Sequence, residues 1–143
     1  VELGQQVHVV DVQRRRLEMP GRVEALIATA ARDEPHAVVI EDKGSGQDLI
    51  QWLRQDKRWR WSLIPFMPEG DKVSRMAGEV PWLHAGRVLL PYGAPWLPEF
   101  EYELLRFPAG AHDDQVDMLS QALSYLRTKA AAPGVLAAWA ARR

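Results

Sequence analysis

Apolar positions along the chain fall into short runs of strand type separated by longer stripes of helical period. Val7 to Val12 reads as a strand in which Asp11 shares a face with Val7 and Val9, and the run Arg14, Arg15, Arg16 ends it. After Pro20 and Gly21, the residues Val23, Leu26, Ile27, Ala30 and Ala31 recur at helical spacing and give one apolar stripe able to pack on a sheet. That helix should stop before Pro35, because the residue preceding a proline is pushed out of helical geometry. Ala37 to Ile40 is a continuous apolar run of the kind found in parallel strands buried on both faces, with Glu41 and Asp42 at its C-terminal end. Gly44, Ser45 and Gly46 then form a tight turn into a helix whose inner face uses Leu49, Ile50 and Leu53.

The pattern continues with a short strand at Leu63 to Phe66, where Pro65 implies an edge or strand-end position since proline cannot donate to the ladder. Gly70 to Glu79 fits a helix or an ordered loop carrying Lys72 and Arg75 on one side. Arg87 to Leu90 is a strand, and Trp96, Phe100 and Leu104 mark a helix at i, i+4, i+8. Phe107 to Ala111 is a loop. From Asp114 to about Lys129 the stripe Val116, Leu119, Leu123 and Leu126 defines the most regular helix of the chain. The alanine-rich segment 130–143 reads as a C-terminal helical tail or a frayed end. Strands alternating with helices give an α/β domain, and 143 residues suit one domain.

Composition narrows the possible functions. With 47% hydrophobic and 26% charged residues the chain is an ordinary globular one, and no apolar run approaches the roughly 20 residues of a membrane helix. No secretory leader is visible, so the expected location is the cytoplasm and no membrane partner is expected. The absence of cysteine excludes disulfides, thiolate zinc sites and cysteine nucleophiles, so a metal must sit on oxygen or imidazole. His8, His36 and His84 are dispersed and suggest no imidazole site. A net charge of -1 carries no overall sign of nucleic-acid binding. Contacts with DNA would have to come from local clusters: Arg14 to Arg16; Arg54, Lys57, Arg58 and Arg60; and Lys72 with Arg75. The six tryptophans are scattered without interleaved basic spacing and suit core packing better than base stacking.

Two acidic groups carry the candidate chemistry. Glu41 and Asp42 end a buried strand, which in open α/β sheets is where the functional crevice lies. His112, Asp113, Asp114 and Asp117 open a long helix, where acids are also favoured simply by capping and by the helix dipole. Their density goes beyond capping, because three acids this close, beside a histidine, repel one another unless a cation or a partner offsets them. Mg²⁺ or Mn²⁺, which prefer carboxylate oxygens, would meet that need, and a pair of such ions supports phosphodiester hydrolysis.

At these residues the chain resembles a known family. The string from Phe107-Pro108 through His112-Asp113-Asp114 and Asp117 to Leu123 is similar to the motif that closes the nuclease domain of phage terminase large subunits, and Val38 to Leu49 is similar to that family's acidic strand and glycine turn. Lys72, Arg75, Gly86 to Pro91 and Glu99 to Phe107 follow the family's order between them, so the likeness covers about residues 7 to 127. The resemblance implies a ribonuclease H-like mixed sheet flanked by helices. It further implies an endodeoxyribonuclease that cuts concatemeric double-stranded phage DNA during packaging with two Mg²⁺ or Mn²⁺ ions. Glu41, Asp113, Asp114 and Asp117 are implied as metal ligands, His112 as a catalytic assistant, and Lys72 and Arg75 as DNA contacts. An ATPase motor domain, a portal and a small terminase subunit are the implied partners.

The family's opening strand, with its first catalytic aspartate, has no counterpart here; Asp11, just before Arg14 and Arg16, matches the third strand instead. The chain begins at Val1 and has no phosphate-binding loop of the motor type, which reads as a nuclease domain truncated at its N-terminus. A fragment of this kind could alternatively be a DNA-binding or assembly module of impaired activity, or a prophage remnant; a resolvase-type nuclease is the third reading. A sheet edge left open by missing strands would favour self-association.

Overall fold

The computed structural model describes residues 6–128 and the backbone of residues 136–139. These fall into two compact units, Val1–Arg14 with Gly70–Ser120 and Arg15–Glu69 with Gln121–Arg143.

The second unit is built on a three-stranded sheet. Its strands are β2 (Ala37–Glu41), β3 (Leu63–Phe66) and β5 (Leu136–Trp139), in the order β3-β2-β5, and both pairings are parallel. Val38, Val39 and Ile40 are buried, as a central strand requires when both its faces are covered. Pro65 lies on the edge strand β3, opposite Ile40, where its missing N–H disrupts no inner ladder. Two helices pack here, α1 (Gly21–Asp33) and α2 (Ser45–Gln55). Val23 and Leu26 of α1 join Leu49, Ile50 and Leu53 of α2 and Val38 and Ile40 of β2 in one core, with Trp59 and Trp61 packed against its side. Each such buried aliphatic side chain contributes about 1.5–3 kcal/mol relative to exposure.

Local chemistry sets the helix ends. Glu34, directly before Pro35, leaves the helical region for a left-handed conformation at φ 43°, and its N–H closes on the Ala30 carbonyl at 2.8 Å. Gly44 precedes α2 at φ 55°, ψ −130°, a backbone geometry open to glycine and hostile to a Cβ. Arg22 Nη1 donates to Ser45 Oγ at 2.9 Å and so ties α1 to the first residue of α2.

The helical tail expected over 130–143 is corrected where the chain is described: Leu136–Trp139 form strand β5 along β2, and the rest of that segment lies outside the described residues. The physical reason is the free edge of β2, whose backbone groups need a second neighbour once β3 has taken the first.

The first unit holds a two-residue parallel pair, β1 (Val7–His8) with β4 (Val88–Leu89), closed by Val7 N–H to Arg87 O at 2.7 Å and Val9 N–H to Leu89 O at 2.9 Å. The strand expected over Val7 to Val12 is therefore paired only at its start, because β4 ends just short of Pro91 and offers no further partner. Segment 70–79 is resolved as part of a helix, α3 (Lys72–His84), whose N-cap Asp71 accepts from Ser74 N–H at 2.9 Å. Helix α4 (Leu97–Arg106) buries Phe100, which meets Trp96 edge-on at 5.7 Å. Helix α5 (Asp114–Thr128) buries Val116, Leu119 and Leu123, with Leu126 half-buried. The α/β class expected from the pattern holds, and the described strand pairs are all parallel. No described helix is long and apolar enough to cross a membrane.

Candidate functional site

The two acidic groups lie one in each unit. In the sheet unit, β2 delivers Glu41 and Asp42, both half-buried, to its C-terminal end, where Glu41 stands in register with Phe66 and the Asp42 N–H donates to Phe66 O at 2.8 Å. The ladder thus runs to the acids themselves. The Gly44 turn immediately follows and reverses the chain into α2.

In the other unit the acids of α5 meet the first turn of α3. Asp113 and Asp117 are four residues apart and so lie on one helix face, and Lys72 and Arg75, three apart, face them from α3. Lys72 Nζ is 2.8 Å from Asp113 Oδ1 and 3.8 Å from Asp117 Oδ2, so one ammonium lies between two carboxylates. Arg75 Nη2 donates to Asp117 Oδ1, while its Nη1 donates to the Gly70 carbonyl at 2.7 Å. The countercharge that the acids' density demands therefore comes from α3. Burial works against the Lys72 ammonium, but the Asp113 hydrogen bond and the fields of Asp113, Asp117 and Asp114 outweigh it and raise the Lys72 pKa. The two basic residues differ in freedom: the Lys72 side chain is 42% exposed and that of Arg75 13%.

Asp114 is half-buried and His112 exposed. The capping role open to Asp113 is filled from another helix. The N–H groups of Gln115 and Val116 donate to Glu103 Oε1 at 2.6 and 3.2 Å, and Gln115 Nε2 donates to Glu103 Oε2 at 2.7 Å. Glu103, only 5% exposed, thus places an anion on the N-terminus of α5 and leaves the Asp113 carboxylate to Lys72. Sequence reasoning missed Glu103. The available signal was an acid three residues after Phe100, on the stripe that α4 buries.

In each of the other basic clusters some members are paired. Arg58 donates to both Asp56 and Glu24, which holds the Asp56 carboxyl down at about 2 and lowers that of Glu24; Arg60 pairs with Glu34, and Arg14 with Glu99. Trp59 and Trp61 pack edge to face at 5.2 Å against the core, consistent with a packing role for these two rings.

Among the described residues, no three histidine, aspartate or glutamate side chains form a ready metal cage. The donor set nonetheless suits a hard divalent ion. It is all oxygen, the ligand type that Mg²⁺ and Mn²⁺ prefer, and the Asp113 and Asp117 carboxylates both approach one point, occupied by Lys72 Nζ.

Searches among curated proteins and among solved structures gave no match. A family model described as the terminase RNaseH-like domain matches residues 4–126, a span that contains both acidic groups together with Lys72, Arg75 and Glu103. The chain belongs to the terminase RNaseH-like domain family.

Proposed function

We propose that the domain is a divalent-metal-dependent endonuclease that cuts concatemeric double-stranded phage DNA in the host cytoplasm during packaging, alongside a motor domain, a portal and a small terminase subunit. Family membership supports a terminase nuclease domain, and the observation that carries the metal reading is the convergence of the Asp113 and Asp117 carboxylates on one point, 2.8 and 3.8 Å from Lys72 Nζ. Glu41, Asp113, Asp114 and Asp117 would hold two Mg²⁺ or Mn²⁺ ions. When bound, such ions supply water activation and neutralisation of charge at the leaving oxygen.

The remaining residues have supporting roles. Arg75, fixed between Asp117 and Gly70, orients the Asp117 carboxylate, whereas the more exposed Lys72 is the better placed of the two to reach a phosphate. His112, exposed just before the helix, is a candidate for handing a proton to the leaving oxygen. Glu103 anchors the helix start that carries three of the acids.

Plasmid nicking with Mn²⁺ tests the proposal. Activity should appear in the wild type and be lost in Glu41→Ala and in Asp114→Ala; nicking that persists in both variants contradicts it. A second reading, a DNA-binding or assembly module that does not cut, is favoured by the neutralisation of Asp113 and Asp117 from within the chain. Duplex binding without nicking, in this chain and in one extended upstream, would support that reading. Preference for four-way junctions over linear duplex would point to a resolvase-type activity instead.

A further inference from the structure

We propose that Lys72 is an exchangeable place-holder at the metal site: its ammonium occupies the carboxylate pair until a divalent ion displaces it, and only then does it engage DNA phosphate. The inference rests on the metal-dependent reading above and adds a regulation of that site, in which ion and DNA each strengthen the other's binding.

Three observations carry it. Lys72 Nζ lies between Asp113 Oδ1 and Asp117 Oδ2, so a divalent ion seeking those oxygens meets a positive charge already there. Arg75 holds the second oxygen of Asp117 and is itself held by the Gly70 carbonyl, so the carboxylate stays in place when Lys72 leaves. The Lys72 and Asp113 side chains are 42% and 39% exposed, which lets the lysine swing outward on its flexible stem while the buried Arg75–Asp117 pair remains. An ammonium paired with carboxylates is not available to a phosphate. Once displaced, it is a solvated cation beside an ion-loaded site, where a DNA backbone brings the countercharge it has lost. Linkage then makes the effect reciprocal: the ion strengthens DNA binding by the same factor as DNA strengthens ion binding.

Lys72→Met keeps the aliphatic stem and removes the charge. Mn²⁺ titration calorimetry on the full chain should show tighter binding in K72M than in the wild type, by about fivefold, the factor that corresponds to one part-exposed ion pair. The second readout is the salt dependence of binding to a hydrolysis-resistant phosphorothioate duplex. With Mn²⁺ the wild type should exceed K72M by a slope of about one phosphate contact, and without Mn²⁺ the two should coincide. Equal or weaker Mn²⁺ binding by K72M overturns the place-holder role; if Asp114→Ala still abolishes Mn²⁺ binding, the metal reading itself survives. A slope difference of the same size without Mn²⁺ shows that Lys72 reaches phosphate from its paired state and overturns the exchange. Failure of both wild type and K72M to bind Mn²⁺, with or without the duplex, overturns the inference together with the reading beneath it. Lys72→Gln provides the same comparison should K72M fold poorly.

Discussion

Replacing Glu103 by alanine removes a buried anion that receives three hydrogen bonds, from Gln115 N–H at 2.6 Å, Gln115 Nε2 at 2.7 Å and Val116 N–H at 3.2 Å. A hydrogen bond to a charged group contributes about 1.5–3 kcal/mol net, and an anion at a partly buried helix N-terminus adds up to about 2 kcal/mol. Against this stands the cost of desolvating the carboxylate, which alanine no longer incurs. Two donors of the first turn of α5 are then left without their acceptor, and the balance comes to a loss of about 3 kcal/mol. For a chain of this size, each kcal/mol shifts Tm by about 2–4 °C, so Glu103→Ala should melt about 10 °C below the wild type in calorimetry. Glu103→Gln keeps one acceptor for the backbone N–H groups, and the Gln115 amide can turn its oxygen toward the new NH₂. That variant should lose only about 1 kcal/mol. A Glu103→Ala protein within about 0.5 kcal/mol of the wild type would refute the claim that this carboxylate anchors α5.

Other perturbations have defined outcomes. Gly44→Ala, at φ 55°, should cost about 1–3 kcal/mol in urea unfolding, whereas Gly78→Ala, inside α3 with open space where its Cβ would sit, should stabilise by about 0.5–1 kcal/mol; similar effects at both positions would contradict the backbone assignment. Leu53→Ala, at the centre of the sheet unit's core, should cost about 2–5 kcal/mol by the same measurement, and a loss below about 1 kcal/mol would remove Leu53 from that core. Arg58→Met should let the Asp56 carboxyl rise from about 2 toward the usual aspartate value, as followed by NMR. Because its folded value is depressed, the Asp56 contribution to stability is present above pH ~4 and is lost as pH falls toward 2; in Arg58→Met, where the backbone N–H of residue 58 still donates to Asp56, that acid dependence should weaken.

Where local pattern and tertiary demand coincide, the sequence was informative. The uninterrupted run at Ala37 to Ile40 read as a strand covered on both faces, and the stripes of α1, α2 and α5 identified the sides that are buried. The dense acids before α5 pointed to a needed countercharge. What could not be read was its source, since Lys72 and Arg75 are distant in sequence and only the packing of α3 brings them to Asp113 and Asp117. The same holds for Glu103: the N-cap position of α5 carries an aspartate, a strong capping residue, yet the donors go to a carboxylate on a neighbouring helix. Strand propensity over Val7 to Val12 was real but insufficient, because pairing requires a partner and β4 is two residues long. The alanine-rich segment containing Leu136–Trp139 has high helix propensity, and pairing with β2 overrides it.

The proposed function requires that carboxylates from the tip of β2 and from the start of α5 serve the same ions. Fe²⁺ loaded in place of Mn²⁺, with ascorbate and peroxide, generates hydroxyl radicals that cut the polypeptide next to the bound iron, and mass spectrometry locates the cuts. Cleavage should occur both around Glu41 and around Asp113 to Asp117, and Asp114→Ala should suppress both sets of cuts together. Cuts at one segment only, or cuts around Glu41 that persist in Asp114→Ala, would contradict a shared metal site.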